Sequence, residues 1–443
     1  MSLLITNTDV LQVAADGSAF SVLESQEIVI EANSISAVQP TGTASPANFA
    51  EVIDAGGKLA MPGLINCHAH VPMVLWRGLA EDASIDRWFN DLMWPLENNL
   101  EPEDVYWGML LGLIEQIEAG VTSVADHYFH VEHAVRAVTE AGTRALLGYA
   151  MFGSQGMSKI EETAAFVEEF RRAADGRIRT IMAPHAPYTC EPDFLRATAE
   201  VAAQIGTGIH IHVSETREQT IGSLRRYGKT PVQILEETGV LNVPTILAHV
   251  TGATSEDIKI LAEHNAGIAQ AVKTYMKLGK DVGPVLEFDA AGISLGIATD
   301  GVVSNSTLNL WETMRLLALS QKSRAQIGEV MPIAKTLAIA THGSAKVYGQ
   351  PDDIGALETG RLADIILIDL SETHHQPLYN VGMSLVYNMQ PTDVKTVIVD
   401  GRVIMRDREL LTIDKQRVFA EVKSRMERLS YIKPENRIQT YSV

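Results

Sequence analysis

The chain has 443 residues, enough for an eight-stranded barrel of about 250 residues and an accessory unit. Its 46% hydrophobic and 21% charged residues are those of a core-forming globular protein and exclude a disordered chain. With 36 basic against 55 acidic residues, the net charge of −19 disfavours nucleic acid and anionic membrane as partners.

The opening, MSLLITNTDVLQVAADG, lacks a basic start, apolar core and cleavage site, and no apolar stretch reaches roughly 18 residues, so a cytoplasmic enzyme is expected. Residues 1–58 read as short alternating β segments, LLITNTDVLQV, AFSVLESQEIVIEANSISAVQP and EVIDAGGKLA, broken by Gly, Asn and Asp turns. From 59 to 350, short apolar runs alternate with helix-length amphipathic segments, the pattern of parallel strands crossing over through helices. The runs are LAMPGLINCHAH, TSVADHYF, RALLGYAMF, RTIMAPHAP, GIHIHVSE, PTILAHV, AGIAQAV and SLGIATD. Eight of them predict an α/β fold, a closed (β/α)8 TIM-type barrel. Residues 351–443 return to β texture in GRLADIILIDL and VKTVIVDGRVIMRDREL before a terminal helix, so both chain ends are expected to build one small β-sandwich domain. Cys67 and Cys190 are too few for a disulfide framework or a thiolate metal site, and are expected as reduced core residues.

In such barrels the chemistry sits at the C-terminal ends of the strands. His68 and His70 end the first run, where a period of two turns both imidazoles to one side. The fifth run supplies His210, His212 and Glu215, the sixth His249 and the eighth Asp300. Only one of His210 and His212 is expected on the inward face with the ligands, and His212, three residues before Glu215, is preferred. Imidazoles with one carboxylate suit zinc or ferrous iron, and a coordination position left to water marks a catalytic rather than a structural site.

The motifs PGLINCHAH, HVSETREQ, LAH and GIATDG together resemble the amidohydrolase superfamily, in its cytosine-deaminase-like and chlorohydrolase-like branch. HAHVPMVLWRGLAED, RWFNDLMWPLE, MAPHAPYTC and ATDGVVSNSTLNLWETMRL are similar to methylthioadenosine and S-adenosylhomocysteine deaminases. The resemblance implies one divalent metal per subunit held by His68, His70, His212 and Asp300. Zinc is the first expectation, with iron and manganese as alternatives. It makes Glu215 the proton carrier, Asp300 a base as well as a ligand, and His249 a neighbour of the attacking water. Other branches bridge two metals with a carboxylated lysine on the fourth strand, where RTIMAPHAP carries His185 instead. Trp88 becomes an aromatic wall, Glu97 a carboxylate that grips ribose hydroxyls, and His185 a partner for a ring nitrogen.

The implied reaction is hydrolytic deamination of an adenine-type nucleoside, namely methylthioadenosine, adenosine or S-adenosylhomocysteine, with release of ammonia. Glu215 would need a raised pKa to carry protons both ways, expected in an enclosed apolar pocket. The chain departs from the family in several places. Tyr149 and Lys159 stand where arginines would meet the amino-acid carboxylate, Val250 follows the sixth-strand histidine, and QAVKTYMKLG replaces a His-Asn-Pro segment. Gln270, Lys273 and Tyr275 are therefore expected to alter the pocket floor, with Lys273 and Lys277 as plain surface charges the alternative reading. A bare heterocycle such as a pterin, oxidised purine or s-triazine is the rival substrate, for a deaminase or chlorohydrolase. A barrel scaffold without catalysis is opposed by the presence of every metal position and of Glu215. The expected partner is a small heteroaromatic molecule, and apolar helix faces leave a homo-oligomer open.

Overall fold

The computed structural model describes residues 2–432. The chain opens with β1 (Ser2–Val13), β2 (Phe20–Glu31), β3 (Ser34–Pro40), β4 (Glu51–Asp54) and β5 (Leu59–Pro62). The middle carries β6 (Leu64–His70), β7 (Val121–Tyr128), β8 (Arg144–Met151), β9 (Ile178–Pro184), β10 (Ile209–Val213), β11 (Thr245–His249), β12 (Ala266–Gln270), β13 (Ser294–Ile297) and β14 (Asp300–Gly301). The last strands are β15 (Ile365–Ile368), β16 (Val394–Val399), β17 (Arg402–Arg406) and β18 (Glu409–Leu410).

Strands β6 to β14 form one parallel sheet in the order β13-β12-β11-β10-β9-β8-β7-β6-β14. Its two ends are consecutive pieces of one strand: β13 pairs with β12 and β14 with β6, so the sheet closes into the expected eight-stranded barrel. Asn66 bridges the break. Its amide donates to Thr299 Oγ1 at 2.8 Å and its carbonyl accepts from Thr299 N–H at 3.0 Å, standing in for the missing ladder bonds. The strands are buried on both faces and read as apolar runs for that reason. Between them lie helices such as Pro192–Ile205, with proline in its first turn and Gly206 at φ 65° closing it in the left-handed conformation glycine tolerates.

The segment LAMPGLINCHAH, expected as one barrel strand, is two. β5 joins the other sheet, pairing with β1 and β15, and only β6 enters the barrel. Gly63 makes the joint: its N–H donates to Asp364 O at 3.0 Å, and a Cβ there would lie 2.2 Å from the Thr122 side chain. The second sheet draws on both chain ends in the order β18-β17-β16-β15-β5-β1-β2-β3, with β4 beside β1. It curls on itself, because Ile35 exchanges backbone hydrogen bonds of 2.8 Å with Gly360 and Arg361, just ahead of β15. The sandwich is thus a single rolled sheet over a small core of its own that includes Leu3, Ile5, Ile28, Ile30, Ile365 and Leu367.

A buried ion cluster joins the two units. Arg144, at the start of β8, donates from Nε to Asp364 and from Nη2 to Asp400, each at 2.7 Å. The terminal helix Lys415–Leu429 packs on the barrel helix Pro102–Glu118, with Arg428 on Asp104 at 2.6 Å. Residues 433–443, the end of the expected C-terminal unit, lie outside the described residues. Cys67 and Cys190 are buried free thiols. No described helix is long and apolar enough to cross a membrane.

Candidate metal centre and active site

At the C-terminal ends of β6, β10 and β11, and at the start of β14, His68, His70, His212, His249 and Asp300 meet at one point. Non-glycine residues in the left-handed region cluster here: Ser214 at φ 45°, His249 at φ 77° and Asp300 at φ 63°. Such backbone persists where the surroundings over-determine it, and it gathers at functional sites.

Each ligand candidate is aimed by what holds its other atom. His70 Nδ1 lies 2.6 Å from His127 O and His212 Nδ1 lies 2.8 Å from His185 O. A carbonyl accepts only, so both histidines carry hydrogen on Nδ1, and in the neutral rings the lone pair is on Nε2. Those two Nε2 atoms face each other at 3.2 Å, an arrangement that repels unless a cation lies between them. His68 Nδ1 is held by His210 Nε2 at 2.8 Å, and its buried Nε2 has no hydrogen-bond partner. Asp300 Oδ2 accepts from Ser304 at 2.9 Å, while Oδ1 stands 3.5 Å from His68 Nε2 and 3.3 Å from His70 Nε2. Burial pushes the His70 imidazole down, but the Asp300 carboxylate and the His127 carbonyl raise it to about 9, while burial holds His68, His212 and His249 below their ordinary value. Three imidazole nitrogens and a carboxylate oxygen with their second atoms already engaged fit a divalent metal.

His210 corrects an expectation. It shares the inward face with His212, as a period of two requires, but lies one layer deeper and orients His68; depth, not face, separates the two.

Glu215 follows β10 on an anchored backbone: its N–H donates to Gln219 Oε1 at 2.9 Å and its carbonyl accepts from Thr251 at 2.6 Å. The carboxylate receives Tyr188 O–H at 3.3 Å on one oxygen and faces the Lys280 ammonium at 3.4 Å on the other. Burial alone would push Glu215 up. The charge of Lys280, with His212 and His185, outweighs it and holds the carboxyl below its ordinary value, opposite to the raised pKa expected from an apolar pocket. His249 Nδ1 is buried without a partner, and the His249 carbonyl accepts from Gln270 at 3.1 Å. His185 Nδ1 lies 2.9 Å from Thr189 Oγ1, and its ring stacks on Phe152 at 4.7 Å.

These groups line a cavity with an apolar wall of Ile85, Trp88, Phe89, Met93, Trp94 and Phe129. Trp88 is buried and its Nε1–H has no partner. Glu97, equally buried, accepts from Tyr128 O–H at 2.8 Å, and burial pushes its carboxyl up to about 7. Of the residues singled out from the sequence, His70, His212, His249, Asp300, Glu215, His185, Trp88 and Glu97 all line the cavity, with His68 behind them. Gln270, Lys273 and Tyr275 do not form its floor. Gln270 and Tyr275 support His249 from behind, while Lys273 pairs with Glu312 at 2.6 Å and Lys277 with Glu81 at 2.7 Å. Lys159 lies 3.8 Å over the Tyr149 ring and pairs with Glu162, so neither departure reaches the cavity. Sequence reasoning missed Tyr128, Tyr188, Lys280 and Ser304. Tyr128 was detectable as the end of a barrel strand; Lys280, in a loop, carried no such signal.

A model of the amidohydrolase family matches residues 59–404. The chain belongs to this family. Among its relatives is a 5-methylthioadenosine/S-adenosylhomocysteine deaminase of Desulforudis audaxviator (strain MP104C), 41% identical over 433 residues, which cover 97% of this chain and 99% of that protein. Another of that name, from Pelotomaculum thermopropionicum, is 40% identical and covers 91% and 94%. This amidohydrolase also superposes with a TM-score of 0.90 on a solved adenosine deaminase from Xanthomonas campestris with bound zinc, at 30% identity over 96% of this chain and 98% of that one. An atrazine chlorohydrolase from Arthrobacter aurescens TC1, at TM-score 0.86 and 24% identity over 96% and 100%, shares the fold.

Proposed function

We propose that this amidohydrolase is a hydrolytic deaminase of adenine-type nucleosides, working with one zinc ion. The observation that carries the reading is the donor cluster beside an apolar wall, with the anchored Glu215 carboxylate next to it. His68, His70, His212 and Asp300 would hold the ion. A bound divalent ion lowers the pKa of its water to about 7 and so supplies hydroxide at neutral pH.

The protein's own groups do the rest. The oxygen of the attacking water bonds to the amine-bearing ring carbon, the carbon–nitrogen bond breaks, and the amine leaves as ammonia. Asp300, fixed through Oδ2 by Ser304, accepts the proton that the water gives up. Glu215, a carboxylate at the start, takes that proton on from Asp300 and places it on the ring nitrogen. The water's second proton, released as the new carbon–oxygen bond becomes a carbonyl, passes through Glu215 to the departing amine, so one water is consumed, one ammonia leaves and both carboxylates are regenerated. His249 stands beside the developing oxygen, a preorganised electrostatic contribution. Trp88 and the neighbouring aromatics exclude water, Glu97 grips the ribose hydroxyls, and His185 meets a ring nitrogen. No arginine lines the cavity among the described residues, which favours adenosine or methylthioadenosine over the amino-acid tail of S-adenosylhomocysteine.

Ammonia release by the zinc-loaded protein, tested on these nucleosides, guanine, pterins and aminotriazines, decides the matter. Adenosine and methylthioadenosine are expected to react, and Glu215→Gln to slow them by roughly 10²–10⁴-fold while the metal stays bound. Turnover confined to bare heterocycles would remove the ribose site; no ammonia from any compound would point to an amide or halide substrate.

A further inference from the structure

Glu215, the proton carrier in the reaction proposed above, is buried where a carboxyl is normally neutral. Its side chain is 5% exposed, and burial disfavours the charged form of a carboxyl. Glu97 shows that outcome in the same cavity: buried, bonded to the Tyr128 O–H and in no ion pair among the described residues, its carboxyl is pushed up to about 7.

Glu215 differs because both of its oxygens are met. Tyr188 O–H reaches Oε1 at 3.3 Å, and the Lys280 ammonium faces Oε2 at 3.4 Å. The two donors are not equivalent, since the phenol is neutral and the ammonium carries a full charge. Lys280 is buried in turn, 7% exposed, and Glu215 is the one hydrogen-bond or ion-pair partner of its Nζ among the described residues. It is also the one lysine or arginine among them that lines the cavity, whereas Lys273 and Lys277 are committed to Glu312 and Glu81.

The other groups facing Glu215 cannot take its place. His212, at the end of the strand that leads to Glu215, and His185, after β9, are held below their ordinary value by burial and are neutral at neutral pH. Asp300, from β14, opposes a second negative charge. An opposite charge within about 4–6 Å lowers a carboxyl by about 1–3 units, so the Lys280 contact has the size needed to offset burial.

We infer that Lys280 is the positioning residue for Glu215: its ammonium keeps the proton-carrying carboxylate ionised and fixed at Oε2 between turnovers. Resting on the proton-carrier reading above, this gives Lys280 a part in the order of the proton steps. A carboxyl that starts neutral cannot take on the first proton, whereas one that starts charged beside an ammonium accepts it and then gives it up readily to a weakly basic ring nitrogen.

Infrared difference spectra of the zinc-loaded protein read the carboxyl without turnover. Wild type minus Glu215→Gln isolates Glu215, and so does each Lys280 variant minus its own Glu215→Gln partner. The protonated-carboxyl band of Glu215 is expected to appear at a pH at least about one unit higher in Lys280→Met than in wild type. Lys280→Gln, which keeps a donor but loses the charge, is expected to follow Lys280→Met. A band that appears at the wild-type pH in either variant overturns the inference. In ammonia release from adenosine, both variants are expected to lose about tenfold or more in kcat with KM little changed. A loss confined to KM would mean that Lys280 serves the substrate rather than Glu215, and overturns it too. Ammonia from no nucleoside would remove the nucleoside reading, while the infrared titration still decides for or against Lys280.

Discussion

Two clusters of buried charge sit at opposite ends of the barrel strands and are built in opposite ways. At the N-terminal end, Arg144 commits Nε and Nη2 to Asp364 and Asp400, and both carboxylates are further engaged across the seam. At the C-terminal end, His68 Nε2 and His249 Nδ1 have no partner, two imidazole nitrogens face each other at 3.2 Å, and the backbone is left-handed at His249 and Asp300. Buried polar atoms are normally paired because leaving them unpaired costs free energy. The Arg144 pairs are therefore satisfied as they stand, although Arg177 beside Asp400 keeps Nε and Nη1 without a hydrogen-bond partner, whereas the mouth leaves several nitrogens suited to an ion open. Substitution at the first should cost stability, and at the second activity.

The largest effect is expected at the mouth. Asp300→Asn removes the one charged ligand candidate, and turnover should fall on the order of a thousandfold or more while the fold survives. Metal analysis and circular dichroism of the purified variant check this together; near-normal turnover with a full ion per chain would break the contrast.

At the seam, Arg144→Met leaves two buried carboxylates facing each other, and stability should drop by about 3–5 kcal/mol. Denaturant unfolding measures the loss, and kcat/KM at a temperature where the variant is folded should stay close to wild type. A variant that is stable but inactive would mean that the seam reports on the mouth.

The smallest effect sharpens the comparison within the cavity, where Glu97 and Glu215 are both buried but differ in company. Burial pushes Glu97 up to about 7, whereas Lys280 keeps Glu215 below its ordinary value. If the Glu97 carboxylate grips ribose hydroxyls, its charged form is present above about pH 7 and lost below. The nucleoside KM should then rise as pH falls through about 7, and Glu97→Gln should raise KM throughout and flatten that dependence. A pH profile of KM that is the same in both proteins would remove Glu97 from the ribose site.

Much of this was legible before any coordinates. The eight apolar runs announce parallel strands because a strand covered on both faces must be apolar along its length. The clustered histidines are legible through their position at strand ends, which barrel closure brings to one rim. What escaped was mostly partnership. The texture of LAMPGLINCHAH is continuous, so the sheet change at Gly63 is invisible without Thr122 and Asp364 beside it. Gln270 and Tyr275 sit where the chain departs from the pattern of the family it resembles, which suggested an altered pocket floor, yet they back His249 from outside the cavity.

The sequence by itself determined the period of the strands, the donor types at their ends and hence the kind of chemistry, because these depend on local alternation and residue chemistry alone. Tertiary structure alone decided that His210 is hydrogen-bonded to His68, that Lys280 and not Lys273 or Lys277 enters the cavity, and that the Glu215 carboxyl is held below its ordinary pKa. Each of those outcomes depends on the distance between groups far apart in the chain, and electrostatic energy inside a protein is set by that distance and by burial, neither of which is written along the chain.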